Sequence, residues 1–117
     1  MYNKTFLIGR LVRDPEMRMT SSGIPFTRFT IAVDRFGKDS GADFIRIVCW
    51  RRLAEIASQY MHKGKLVAVE GALQIDTYER EGITKESVEV IADNIQMLDR
   101  GQPQALNQES SNEMYVD

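Results

Sequence analysis

The chain holds one cysteine, Cys49, and one histidine, His62, among its 117 residues, and these two scarcities exclude several classes of protein. A lone thiol cannot close an internal disulfide, so a packed core must hold the fold, as in a reducing compartment. Neither a zinc site of the usual His/Cys kind nor a Cys–His nucleophile pair is expected. No GxxxxGK phosphate loop occurs, which removes that route to nucleotide chemistry. Glu70, Asp76 and Glu79 read as solvated acids on strands and a hairpin. The expectation is a protein without cofactor, metal or catalytic site, and not an enzyme. No apolar run approaches the roughly 20 residues that span a bilayer. The opening Met1-Tyr2-Asn3-Lys4 does not resemble a charged segment leading into an apolar one. Cytoplasmic is the expected location.

A basic excess is also missing, since the formal net charge is -2. All fifteen Lys and Arg lie in residues 1–100 against fourteen acids, a net of +1, while residues 101–117 carry only Glu109, Glu113 and Asp117. That end, "GQPQALNQESSNEMYVD", is polar, opens on Gly and Pro and lacks periodicity. The expected organisation is therefore one folded domain over 1–100 and a short disordered tail over 101–117. A domain of this size has room for one modest core.

What is present is mostly strand pattern. Residues 4–13, "KTFLIGRLVR", are apolar and bounded by Asp14-Pro15, with Gly9 where a bulge or sharp bend is expected. In 26–34, Phe29, Ile31 and Val33 alternate against Arg28, Thr30 and Ala32. The polar 37–43 loop, "GKDSGAD", joins this strand to a third, "DFIRIVCWRR", with Phe36 exposed near the hairpin tip. From Arg52 the period changes. Leu53, Ile56, Ala57, Tyr60 and Met61 form the apolar stripe of a helix of about three turns, ended by Lys63-Gly64, with His62 as a cap in its last turn. Strands over 65–78 and 85–98 flank the turn-forming "EREGIT" with Gly82.

Five strands with one helix between the third and fourth is the order of the OB fold, an all-β, five-stranded Greek-key barrel that commonly binds oligonucleotides. The third strand says where. With a period of two, Ile45, Ile47 and Cys49 share the inward face, leaving Phe44, Arg46, Val48 and Trp50 on the other. Aromatics interleaved with a cation are what a protein needs to hold single strands without reading sequence: flat surfaces for any base, charge for the phosphates.

Beyond this pattern, "NKTFLIGRLVRDPEMR", "FTIAV", "DFIRIVCWRRLAEIASQYMHKG" and "VAVEGALQIDTYE" resemble, in sequence and spacing, the bacterial-type single-stranded DNA-binding proteins (SSB family), over roughly residues 2–98. The resemblance implies sequence-independent binding and protection of single-stranded DNA during replication, recombination and repair, in a nucleoid-associated setting. It implies four base-stacking aromatics, Phe36, Phe44, Trp50 and Tyr78. Arg28, Arg46, Arg52 and Lys63 are the leading phosphate-binding candidates, followed by Arg10, Arg18, Arg35 and Arg80. Gln74 and Asp76 stand where many members are basic, so the hairpin arm should attract the DNA backbone less.

The resemblance further implies a homotetramer, with a dimer as the alternative, paired through the first strand, whose Thr5 and Leu7 can leave an edge needing cover. Replication and repair proteins are recruited in the family through an acidic ending that closes on Pro-Phe. The ending here is "NEMYVD", which implies no such recruitment and leaves two explanations open, a naturally short phage or competence-associated form or an incomplete chain. The competing function is an OB-fold interaction adaptor of the primosome type with weak nucleic-acid binding.

Overall fold

The computed structural model describes residues 1–37 and 40–99; the expected tail over 101–117 lies outside them. Its elements are β1 (Thr5–Leu11), β2 (Glu16–Met19), β3 (Pro25–Asp34), β4 (Ala42–Trp50), α1 (Arg51–Tyr60), β5 (Leu66–Arg80) and β6 (Ile83–Met97). The strands lie in the order β1-β5-β6-β4-β3-β2. All neighbours are antiparallel except β4 and β6, which run parallel. β1 then turns back onto β3 through Arg10↔Ala32 and Leu11↔Ile31, so five strands close a ring. This is the order expected of an OB fold.

The ring is filled from the alternating positions the sequence marks as inward. Phe29 and Ile31 of β3, Ile47 and Cys49 of β4, Val67 and Val69 of β5, Val90 of β6 and Leu11 of β1 are all buried together. Burying a large apolar side chain contributes about 1.5–3 kcal/mol, and this set is the main source of stability. α1 packs Ala54 and Ala57 against the same cluster. The Thr27 hydroxyl, buried on β3, donates to the Ala54 carbonyl at 2.8 Å, pinning the helix to the strand below it.

Several local expectations are corrected. β2 was not expected; all four of its residues are exposed, so an edge strand with no buried face left no alternation to read. Of the bulge or sharp bend expected at Gly9, the bulge is not found, since Gly9 pairs in regular register with Val67. A Cβ there would come within 2.4 Å of the Ala32 carbonyl oxygen, so glycine is required by the close crossing of β1 over β3. The bulge lies at Asp93, the extra residue where Glu70↔Asn94 gives way to Gly71↔Ala92. α1 ends at Tyr60, not at Lys63-Gly64, with the Met61 amide donating to the Ala57 carbonyl at 3.0 Å. His62 is therefore beyond the helix, and its Nδ1 lies 3.0 Å from the Lys63 carbonyl oxygen. Tyr60 is exposed and Ala54 takes its place in the buried stripe. Among the described residues no helix is long and apolar enough to cross a membrane.

Candidate nucleic-acid interface

The even-numbered positions of β3 and β4 point away from the core and stand opposite one another: Phe26↔Trp50, Arg28↔Val48, Thr30↔Arg46 and Ala32↔Phe44. Phe44 is 69% exposed and Trp50 40%, while Ile47 and Cys49 between them are fully buried. Strand alternation alone creates this division. Trp50 is half covered because Phe26 stands against it, ring centroids 5.1 Å apart and planes tilted by 34°. The Arg28 guanidinium carbon lies 5.3 Å from the Phe26 ring centroid, within cation–π range.

Val48 departs from the pattern, being buried although it shares the outward face. Its position explains this. β4 is an inner strand, and Val48 is registered between Arg28 of β3 and Ile91 of β6. The Arg28 Nε reaches across β4 to Glu89 Oε2 of β6 at 3.7 Å, spanning the strip of sheet that Val48 occupies.

The proposed cations fall into three groups. Arg28 and Arg46 lie at the centre of the face; Arg46 Nη2 donates to Ser87 Oγ at 2.8 Å. Arg52, Lys63 and Arg80 are exposed, and among the described residues no hydrogen bond or ion pair holds their side chains. Arg10, Arg18 and Arg35 are occupied: Arg10 by the Gly64 carbonyl and Asp99, Arg18 by Glu16, and Arg35 by Asp43. The Arg35–Asp43 pair is the tightest, with two guanidinium N–H groups on one carboxylate oxygen at 2.9 and 2.7 Å. These bonds lower the Asp43 pKa and raise that of Arg35. The pair ties the end of β3 to the start of β4, at the residue before Phe36.

Phe36 is fully exposed. Tyr78 is 44% exposed and stands opposite Lys85 on the β5–β6 hairpin. Gln74, Asp76 and Tyr78 alternate along one face of β5, and Gln74 is registered with Glu89, itself the partner of Arg46. The hairpin thus continues the same face outward. It closes through Glu81 and Gly82 at φ 54° and 76°, the two positive angles of a type I′ turn. Glu79 lies on the opposite face of β5 from Asp76, and the Glu70 carboxylate pairs with Lys4 at 3.5 Å, so the three acids do not converge.

Two residues escaped the sequence reading. Phe26 has the same parity as Arg28, and extending the alternation by one step marks it as outward. Arg13 has no such signal; it joins Arg28 and Arg46 around a depression of about 140 Å³ also lined by Asp14, Glu16, Phe29 and Thr30. A larger open depression, about 430 Å³, lies between Phe44, Arg46 and Val88. Cys49 plays no part in this surface: burial pushes its thiol pKa up to about 12, so it stays protonated and unreactive. The face as a whole offers stacking surfaces and cations.

The profile of the single-strand binding protein family matches residues 2–98. A single-stranded DNA-binding protein of Thermotoga maritima is 48% identical over 106 residues, covering 85% of this chain and 75% of that protein. The one from Caldanaerobacter subterraneus subsp. tengcongensis is 47% identical over 104 residues, covering 85% and 69%. A relative of the same name in Lactiplantibacillus plantarum is 41% identical over 124 residues, covering 98% of this chain and 62% of its own. The matched residues span the closed ring, the helix and the aromatic face, and the chain belongs to the single-strand binding protein family.

Proposed function

We propose that this protein binds single-stranded DNA without reading its sequence, laying bases on Trp50, which Phe26 braces, and on Phe44, Phe36 and Tyr78, while the neighbouring cations contact phosphates. The observation that carries the reading is the row of exposed aromatics beside Arg28 and Arg46 on one sheet face, backed by a core that has no need of them. Aromatic platforms accept any base, since every base has a π face. Arg52, Lys63 and Arg80 are the phosphate contacts least encumbered among the described residues; Arg10, Arg18 and Arg35 would first have to leave acidic partners. Family membership supports a binding protein rather than an enzyme. The cellular setting that follows is protection of single strands in replication, recombination and repair, in the cytoplasm at the nucleoid.

Self-association belongs to the same proposal. The outer edge of Thr5–Gly9 has no strand partner among the described residues. Beside it Phe6, 64% exposed, and Ile8, 47% exposed, face outward. An open edge flanked by apolar side chains calls for cover. A second copy paired along β1, doubled to a D2 tetramer, supplies it; sedimentation distinguishes tetramer from dimer.

Titration with oligo-dT, followed by Trp50 fluorescence, tests the binding. The expected result is strong quenching that weakens with salt, and equal treatment of a blunt duplex and its separated strands would overturn the reading. Unchanged emission and no salt-dependent binding would favour the adaptor function, in which this face meets protein.

A further inference from the structure

Glu89 is an anomaly on a surface proposed to hold a polyanion. It projects onto the face at its centre, registered beside Arg46 in the parallel β4–β6 pairing, and its side chain is only 17% exposed. Its partner is Arg28, reached across the full width of β4 at 3.7 Å, with the Arg28 side chain 59% exposed. An ion pair this long, with its guanidinium this open, holds the fold only weakly. Its main effect is on what Arg28 can offer an incoming phosphate.

We infer that Glu89 is a built-in counter-charge of the binding face: its carboxylate occupies Arg28 in the free protein, and a single strand binds there by exchanging the carboxylate for a phosphate. The inference rests on the proposed single-strand binding and deepens it. Arg28 already lies over Phe26, so it stands where a base on the Phe26–Trp50 pair would bring its own phosphate near. In the exchange one anion replaces another on the guanidinium. The counterion released from the DNA is then balanced by a cation taken up at the freed carboxylate. Arg28 should therefore add nothing to the salt dependence of binding, although it stands at the centre of the face. Arg46, bonded only to the Ser87 hydroxyl, and Arg52, Lys63 and Arg80 have no acidic partner among the described residues and carry that dependence instead. Glu89 thereby moderates affinity and keeps the strand exchangeable.

The test compares wild type, Glu89→Gln, Arg28→Gln and the double variant by oligo-dT titration over a series of salt concentrations, with Tm measured for each. Glutamine keeps the shape of Glu89 and removes only its charge. Freeing one cation for one phosphate steepens the slope of log K against log salt by about 0.7 for single strands. Glu89→Gln should therefore bind more tightly than wild type at low salt, with the advantage shrinking about threefold for each fivefold rise in salt. Arg28→Gln should leave the slope unchanged, and the double variant should lose the gain. Weaker binding by Glu89→Gln with an unchanged slope would show that Glu89 merely holds Arg28 in place and would overturn the inference. So would an Arg28→Gln slope shallower by a full cation, which remains readable if Glu89→Gln does not fold. Failure of the wild type itself to bind would instead refute the underlying single-strand reading.

Discussion

Phe26 and Trp50 meet across β3 and β4 with ring centroids 5.1 Å apart, so the single tryptophan of the chain does not stand alone but forms half of a cross-strand aromatic pair. The pair is fixed by register: Phe26 is the second residue of β3 and Trp50 the last of β4, and the strands place them directly opposite. Each ring limits the rotation of the other, their planes tilted by 34°, and Trp50 stays 40% exposed. A base arriving there finds a platform already held in place.

Trp50→Ala should weaken binding to oligo-dT by about 1–3 kcal/mol, the usual value for one stacked base. Phe26→Ala should cost less, because it removes the brace and leaves the ring that the base covers. Ile83→Ala, at the hairpin tip, should cost less than Trp50→Ala. Thermal unfolding must be followed alongside. A Trp50→Ala chain that is mostly unfolded, with unaltered affinity in its folded fraction, would mean that Trp50 serves the core.

Alternation made the buried side of this molecule and the exposed Phe44 and Trp50 readable, because a period of two needs only neighbouring residues. Features set by distant contacts were not readable in that way. Val48 is buried because Arg28 and Glu89 reach each other over β4, a contact between residues 61 positions apart. The need for Gly9 depends on Ala32 of another strand. α1 stops at Tyr60 although the apolar spacing continues to Met61, because extended backbone at Met61, φ -103° and ψ 152°, ends the helix there while its side chain stays buried. The aromatics were visible as a pattern; their pairing required the strands to be assembled.

The joint between β4 and α1 is made by Arg51, which adopts φ 59°, a left-handed conformation that costs an L-residue about 1–2 kcal/mol. It turns the chain sharply from strand to helix immediately after Trp50. Arg51→Val, β-branched at this angle, should lower stability by about 1 kcal/mol or more and disturb Trp50 emission. Arg51→Gly relieves the clash but adds freedom to the unfolded chain, about 0.5–1 kcal/mol in the opposite direction. Its Tm should stay close to that of wild type. A large loss in Arg51→Gly would show that the arginine side chain, rather than its backbone angle, secures the joint.

The Arg35–Asp43 pair makes a pH-dependent clasp. Hydrogen bonding to Arg35 lowers the Asp43 pKa below its ordinary 3.8. The clasp is therefore intact above the unfolded carboxylate value and is lost as pH falls through the lower, folded value. Both side chains are about half exposed, so the effect should be felt locally, at the base of the loop that carries Phe36. An NMR titration of the Asp43 carboxyl should show a midpoint below 3.8, returning to the ordinary range in Arg35→Gln. The same midpoint in both proteins would show that the pair does not persist in solution.

Closure of the ring depends on the narrow crossing of β1 over β3, where only Arg10↔Ala32 and Leu11↔Ile31 are registered. Gly9 lies at that crossing, and an added Cβ would sit 2.4 Å from the Ala32 carbonyl oxygen and 3.1 Å from Val33 Cγ2. The methyl of Val33 can yield, but the carbonyl belongs to a strand also bonded to β4, so relief requires moving backbone. Gly9→Ala should therefore destabilise by about 1–3 kcal/mol, the usual cost of forcing extra volume into a packed site, despite alanine's ordinary advantage over glycine in a strand. Because β3 also carries Phe26 and Arg28, displacement at Ala32 should reach the aromatic face. The variant should bind oligo-dT more weakly even at temperatures where it remains folded. Denaturant unfolding and a Trp50 titration on the same sample separate the two effects. Full stability in Gly9→Ala would show that β1 and β3 are not held this close in solution and that the ring is open at this seam.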